Sequence, residues 1–165
     1  MSEVSMRLQK SIRTRKVVNM DEQQAVLKNN KKLNLNIITP RGVKFEEEAD
    51  MIIMRAVDGD LGVLPGHEPI STALGDGILR IFNNGVEKKL AVFGGIVEIN
   101  NITVNIYSTI AQLPEEIDLE RAEKDRQEVE AALNEMLDDV NLKRLQVMMR
   151  RSLVRIEVNL HVEDE

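Results

Sequence analysis

The sequence predicts an α+β chain: an N-terminal antiparallel β-sandwich or barrel over residues 33–113, then a C-terminal antiparallel two-helix hairpin over residues 114–158. Three observations predict it. Apolar and polar residues alternate at both ends of the first segment. Turn signals recur throughout it, with no helical pattern between them. From Pro114 onward the apolar spacing changes to threes and fours.

Taken in order, residues 1–32 are polar and basic and show no sustained periodicity, so they are expected to form a flexible or weakly helical extension. Arg7, Arg13 and Arg15 with Ser11 have the look of a transit peptide, but Glu3, Asp21 and Glu22 argue against one, because such peptides avoid acidic residues. Strand character begins with Leu33, Leu35 and Ile37, which alternate with Asn34 and Asn36. It ends with Ile102, Val104 and Ile106, which alternate with Thr103, Asn105 and Tyr107. Between these lie the apolar runs Met51–Met54, Ile78–Phe82 and Leu90–Phe93. Turn signals separate them at Pro40–Gly42, Asp58-Gly59, Pro65-Gly66, Asn84-Gly85, Gly94-Gly95 and Asn100-Asn101. Asn84-Gly85 between two strand-like runs predicts a hairpin. Gly94-Gly95 is read as a tight turn and Glu46-Glu47-Glu48 as a solvated loop, since adjacent like charges do not converge on one buried site.

Beyond Pro114, Leu119, Ala122, Arg126, Val129, Leu133 and Met136 follow the 3,4 spacing of a helical seam, and Asp118 stands at its N-cap position. Asp138, Asp139 and Asn141 interrupt the pattern and predict a tight connection. The second seam is Leu142, Leu145, Met149, Leu153 and Ile156. Lys143, Arg144, Arg150, Arg151 and Arg155 give the second helix a charge opposite to the acidic first one, as expected of antiparallel neighbours. Residues 159–165 read as an acidic tail. A hairpin of this size cannot bury a large core alone, so it must lean on the β domain or on another protein.

Composition narrows the function. Aromatic residues are 2% of the chain, which removes the stacking platforms of single-strand nucleic-acid binders. No cysteine is present, so disulfide, thiolate-metal and cysteine-nucleophile chemistry are absent. No apolar run reaches the ~20 residues of a membrane span, so membrane association would come only through a complex. His67 and His161 stand apart, outside any ligand-spaced cluster. No phosphate-binding loop, nucleophile elbow or metal-ligand spacing occurs, so neither a metal nor a catalytic residue is expected.

Several spaced segments carry a resemblance. Gly59–Ile70 (GDLGVLPGHEPI), Leu35–Gly42 (LNIITPRG), Ala91–Ile99 (AVFGGIVEI) and the stretch from Ala111 to Leu119 occur in the order found in the epsilon subunit of bacterial F-type ATP synthase. The chain resembles that family over residues 33–158. The resemblance implies a non-catalytic rotor subunit at the cytoplasmic face of the bacterial cell membrane. Its β domain would join the gamma subunit to the c-ring of a proton- or sodium-translocating enzyme. Its hairpin would either fold onto the β domain or extend towards the catalytic alpha/beta hexamer and block ATP hydrolysis.

The resemblance also implies a regulatory ligand, with no cofactor required. Ile117-Asp118-Leu119-Glu120-Arg121-Ala122 matches the Ile/Leu-Asp-x-x-Arg-Ala motif with which some bacterial members bind ATP, and Arg151 and Arg155 fall at the positions of their second-helix arginines. The expected ATP-binding residues are therefore Ile117, Asp118, Arg121, Ala122, Arg151 and Arg155. A spacing of four places both second-helix arginines on one face, suited to a polyphosphate. Asp118 as a plain N-cap and the arginines as salt-bridge partners of an acidic helix are the competing reading. Gln112 replaces an acidic residue of the ATP-binding pattern and Glu128 an arginine. The mitochondrial counterpart of this subunit and a free-standing ATP-sensing module are the alternative assignments.

Overall fold

The computed structural model describes residues 31–135 and 139–160. Eight strands come first: β1 (Leu33–Thr39), β2 (Gly42–Ala49), β3 (Met51–Ala56), β4 (Gly59–Val63), β5 (Ile70–Asn83), β6 (Val86–Ile99), β7 (Thr103–Tyr107) and β8 (Ala111–Gln112). A 3₁₀ turn at Pro114–Glu116 leads into helices α1 (Leu119–Glu135) and α2 (Asp139–Leu160). The expected basic extension lies outside the described residues up to residue 30. His161, most of the acidic tail, Met136 and the connection at 136–138 also lie outside them.

The strands join in the order β2-β1-β7-β6-β5-β3-β4, with β8 also paired to β6. Leu33, Leu35 and Ile37 of β1 and Val104 and Ile106 of β7 are fully buried, as their alternation predicts. With Ile52, Met54, Val63, Leu79, Ile81, Leu90, Val97 and Ile99 they form one aliphatic core. Ile102 departs from the pattern. It precedes β7 and is 43% exposed. Asn84 and Gly85 form the two-residue β5–β6 turn at φ 53° and 80°, the left-handed pair that an Asn-Gly hairpin requires.

Three features differ from the sequence-based expectation. First, β1 and β7 pair in parallel, matching Leu35 to Val104 and Ile37 to Ile106, whereas the other pairings are antiparallel. A parallel pair needs a long connection, and five intervening strands supply it. Second, Gly94-Gly95 is not a turn but lies inside β6. The buried phase flips there, from Leu90 and Val92 to Val97 and Ile99, and likewise in β5 from Leu74 to Leu79 and Ile81. The long β5–β6 pair therefore bends at Gly75 and Gly94 and wraps the sheet around its core. At Gly95, φ is +127° and a Cβ would lie 2.2 Å from the Tyr107 carbonyl oxygen, so only glycine fits. Third, Glu46-Glu47-Glu48 is not a loop but part of the edge strand β2, with Glu47 held by Lys88 Nζ at 2.7 Å. Carboxylates along an exposed edge discourage pairing with another chain.

The hairpin packs through one helix. α2 lies on β5 and β6, and α1 packs on α2. In α1, Ala122 and Val129 of the expected seam are buried, while Arg126 bridges Glu123 at 3.0 Å and Glu130 at 2.8 Å on its own helix. In α2 the single expected seam gives way to two stripes. Val154 and Val158 face the sheet, and Ser152 and Ile156 are buried on the side left for α1. Leu153 falls between the stripes and is 49% exposed, so it does not belong to the seam. A helix sandwiched between a sheet and a second helix must bury two faces, and one 3,4 spacing describes only one of them.

Candidate functional site

The site forms where α2 crosses the outer face of the β5–β6 hairpin. Strand register fixes the platform: Asp76 pairs with Phe93 and Ile78 with Ala91. Leu90 and Val92 point into the main core, so the alternate residues Ala91 and Phe93 project outward. They are buried there by Ile117, Val154 and Val158, with Ile78 packed alongside. A patch of this size is a small fraction of the apolar surface in the main core, and its contribution to burial energy is correspondingly small.

Around it sit the arginines. Arg151 Nε donates to Asp76 Oδ2 at 2.7 Å and its Nη2 to Oδ1 at 3.4 Å, and the Asp76 side chain is only 12% exposed. Arg155 Nε donates to Gln112 Oε1 at 2.8 Å. Both guanidinium groups lie over Phe93, their central carbons 5.6 Å (Arg151) and 4.6 Å (Arg155) from the ring centroid. Burial pushes the Arg155 pKa down from its ordinary value. Asp125 pulls it back up, while Arg151 and Arg121 push it further down and Asp76 offsets part of that. The folded hairpin thus holds three cations near one another, two close carboxylates and a neutral amide. That arrangement favours an additional anion.

The sequence-predicted residues divide into two groups. Arg151 and Arg155 converge on Phe93, with Arg121 near enough to act on Arg155. Ile117 and Ala122 are buried and serve packing. Asp118 caps α1: its Oδ1 accepts the Arg121 backbone N–H at 2.9 Å, and its carbonyl accepts that of Ala122 at 3.0 Å. Glu128 pairs within α1 with Lys124 at 3.8 Å. Sequence reasoning missed Asp76, Phe93 and Asp125. The charge of Asp76 within the Leu74–Ile81 strand was the available signal, but only the β5–β6 register shows that it meets Phe93.

The linker between the two parts is tied down as well. Lys44 pairs with Glu116, whose other oxygen accepts the Leu113 N–H at 2.9 Å. Asn159 Nδ2 donates to the carbonyl of Pro114 at 3.2 Å. A groove of about 500 Å³ lined by Thr39, Arg41, Lys44, Thr109, Gln112 and Glu116 adjoins this linker and shares Gln112 with Arg155. His67 is half-buried in the loop before β5, with Nδ1 against the Glu68 carbonyl at 2.7 Å. Among the described residues no acidic or histidine cluster could hold a metal, and no helix is long and apolar enough to cross a membrane.

A fold of this kind, a bent β-sandwich with a charged helical hairpin seated on its outer face, is that of the ATP synthase delta/epsilon chains. The family model for their β-sandwich domain matches residues 32–114, and the model for their long α-helix domain matches residues 115–158. The chain belongs to this family and is an epsilon subunit of the bacterial F-type, a non-catalytic component of the central stalk of the rotary enzyme. It is 36% identical to the ATP synthase epsilon chain of Caldicellulosiruptor saccharolyticus over 124 residues, covering 75% of this chain and 90% of that one. It is 38% identical to that of Bacillus subtilis over 128 residues, covering 78% and 97%. Among solved structures it is similar to a chain of the Euglena gracilis mitochondrial ATP synthase assembly of OSCP, F1 and c-ring. The TM-score is 0.67 at 25% identity, covering 79% of this chain and 82% of that one.

Proposed function

We propose that this subunit couples gamma to the c-ring through its β-sandwich and brakes ATP hydrolysis by extending its hairpin towards the alpha/beta hexamer. ATP bound by the folded hairpin relieves the brake. The observation that carries this reading is the way the hairpin is held: a patch of six apolar residues bordered by the Arg151 and Arg155 contacts. Such an interface is separable from the main core, so the hairpin can leave the sheet without unfolding it. The arginine cluster over Phe93 supplies the charge for a polyphosphate, with Arg121, Arg151 and Arg155 as phosphate partners. Ile117, Asp118 and Ala122 set the start of α1 beside them. A ligand that binds only the folded hairpin stabilises it by its differential affinity for that state.

The direct test is ATP hydrolysis by the cognate alpha, beta and gamma complex, with the full chain and with a form ending at Glu116. Inhibition by the full chain alone, easing as ATP rises, is the expected result. Binding of both forms without inhibition sinks the brake. Calorimetry tests the ligand: Arg151→Ala and Arg155→Ala should each weaken ATP binding about tenfold, the loss of one charge-assisted contact. Unchanged affinity in both removes the site.

A further inference from the structure

We propose that Asp76 is the docked hairpin's own anion, a residue of the sheet that holds Arg151 in place of a ligand phosphate and keeps the hairpin folded without nucleotide. The inference rests on the reading that the hairpin moves and that ATP favours its folded state.

Asp76 is the acid of a platform otherwise formed by Ile78, Ala91 and Phe93, and β5–β6 pairing places it directly across from Phe93, the ring over which Arg151 lies. Its carboxylate takes two contacts from Arg151, at 2.7 and 3.4 Å, across 75 residues of sequence. At 12% side-chain exposure it has given up most of its water, so its charge depends on Arg151 for compensation. The converse holds for Arg151. Released from Asp76, it would sit beside Arg155 and Arg121 with one negative charge fewer to offset them, and the folded hairpin would then need an anion from outside.

A second, longer-range attraction of opposite polarity lies further along the strand. Arg80, already bonded to Glu87 at 2.5 Å, is also drawn by Glu157 of α2. The sheet thus presents an acid and then a base to the base and then the acid of α2. That order of charge favours the observed direction of docking. Asp76 is the member of the set that shares its arginine with the proposed phosphate site, so it decides how far docking depends on ligand.

The test uses the full chain, in which the absence of cysteine allows a specific pair of spin labels at Val86→Cys, exposed at the start of β6, and Gln146→Cys, exposed on α2. Distances are measured with no nucleotide and with saturating ATP. In the parent the docked distance should dominate under both conditions. In Asp76→Asn, which keeps the volume and removes the charge, the docked-to-undocked ratio without nucleotide should fall about tenfold, and ATP should restore it. Arg151→Gln should undock the hairpin to the same extent, and the double variant no further, because the pair acts as one unit. Two results overturn the assignment: Asp76→Asn as fully docked as the parent without nucleotide, or a double variant in which the two losses multiply. If Asp76→Asn undocks and ATP does not restore it, the role of Asp76 stands and the ATP reading falls.

Discussion

The two hydrophobic clusters of this molecule are built on opposite faces of the same strands and differ in kind. The main core takes aliphatic side chains from all eight strands, most of them with no exposed surface. The outer cluster has Ala91, Phe93, Ile117, Val154 and Val158 with Ile78 beside them, and its perimeter is charged. A core closed by non-directional burial alone has no reason to open. An interface of modest apolar area edged by an ion pair and a hydrogen-bonded arginine has a free energy that one ligand or one partner can match. Val92 and Phe93, adjacent in β6, therefore serve different purposes: the first packs in the main core, the second seats the hairpin.

Substitutions can break this contrast. Ile37→Ala, at a fully buried core position facing Ile106 on the parallel neighbour, should cost about 4 kcal/mol. The β domain and the hairpin should then melt together at a lower temperature in calorimetry. Val158→Ala, also fully buried but in the outer cluster, should cost about 2 kcal/mol, confined to the hairpin. Hydrogen exchange should rise across α1 and α2 while amides of β1, β6 and β7 keep their protection. Loss of protection in the core strands as well would mean that the two clusters form one cooperative unit and that the contrast has no energetic content.

What the sequence disclosed follows the range of the interactions. Local signals were legible: the alternation at Leu33, Leu35 and Ile37, the Asn84-Gly85 turn, and the helical spacing from Leu119. Each reports on residues a few positions apart. The parallel match of β1 to β7 was not legible, because alternation reveals which face is buried but not the direction of a distant neighbour. Gly94-Gly95 signalled a departure from regular strand without saying whether the chain turns or bends. For the site, the arginines were legible from the motif and from their spacing of four. Asp76 and Phe93 were not, since both are recruited by strand pairing, and Asp76 meets Arg151 only once α2 has docked.

The smallest effect sharpens the comparison at the linker that joins the two regions. The Glu116 carboxyl is held below its ordinary value of 4.5, first by the Lys44 ammonium and then by the Leu113 N–H. A carboxylate whose folded pKa is depressed stabilises the folded arrangement fully above that ordinary value, and the stabilisation is lost as pH falls through the lowered one. The linker contact is therefore intact at neutral pH and fails only in acid. Because the Glu116 side chain is 38% exposed, solvent screening limits its worth to under about 1 kcal/mol. Exchange of the hairpin amides, followed from neutral pH down to about pH 3 after correction for intrinsic rates, should show this increment in the parent and lose it in Glu116→Gln. Equal pH dependence in both would mean that Lys44 and Glu116 do not restrain the hairpin, leaving its hold on the sheet to the contacts of α2 and to Asn159.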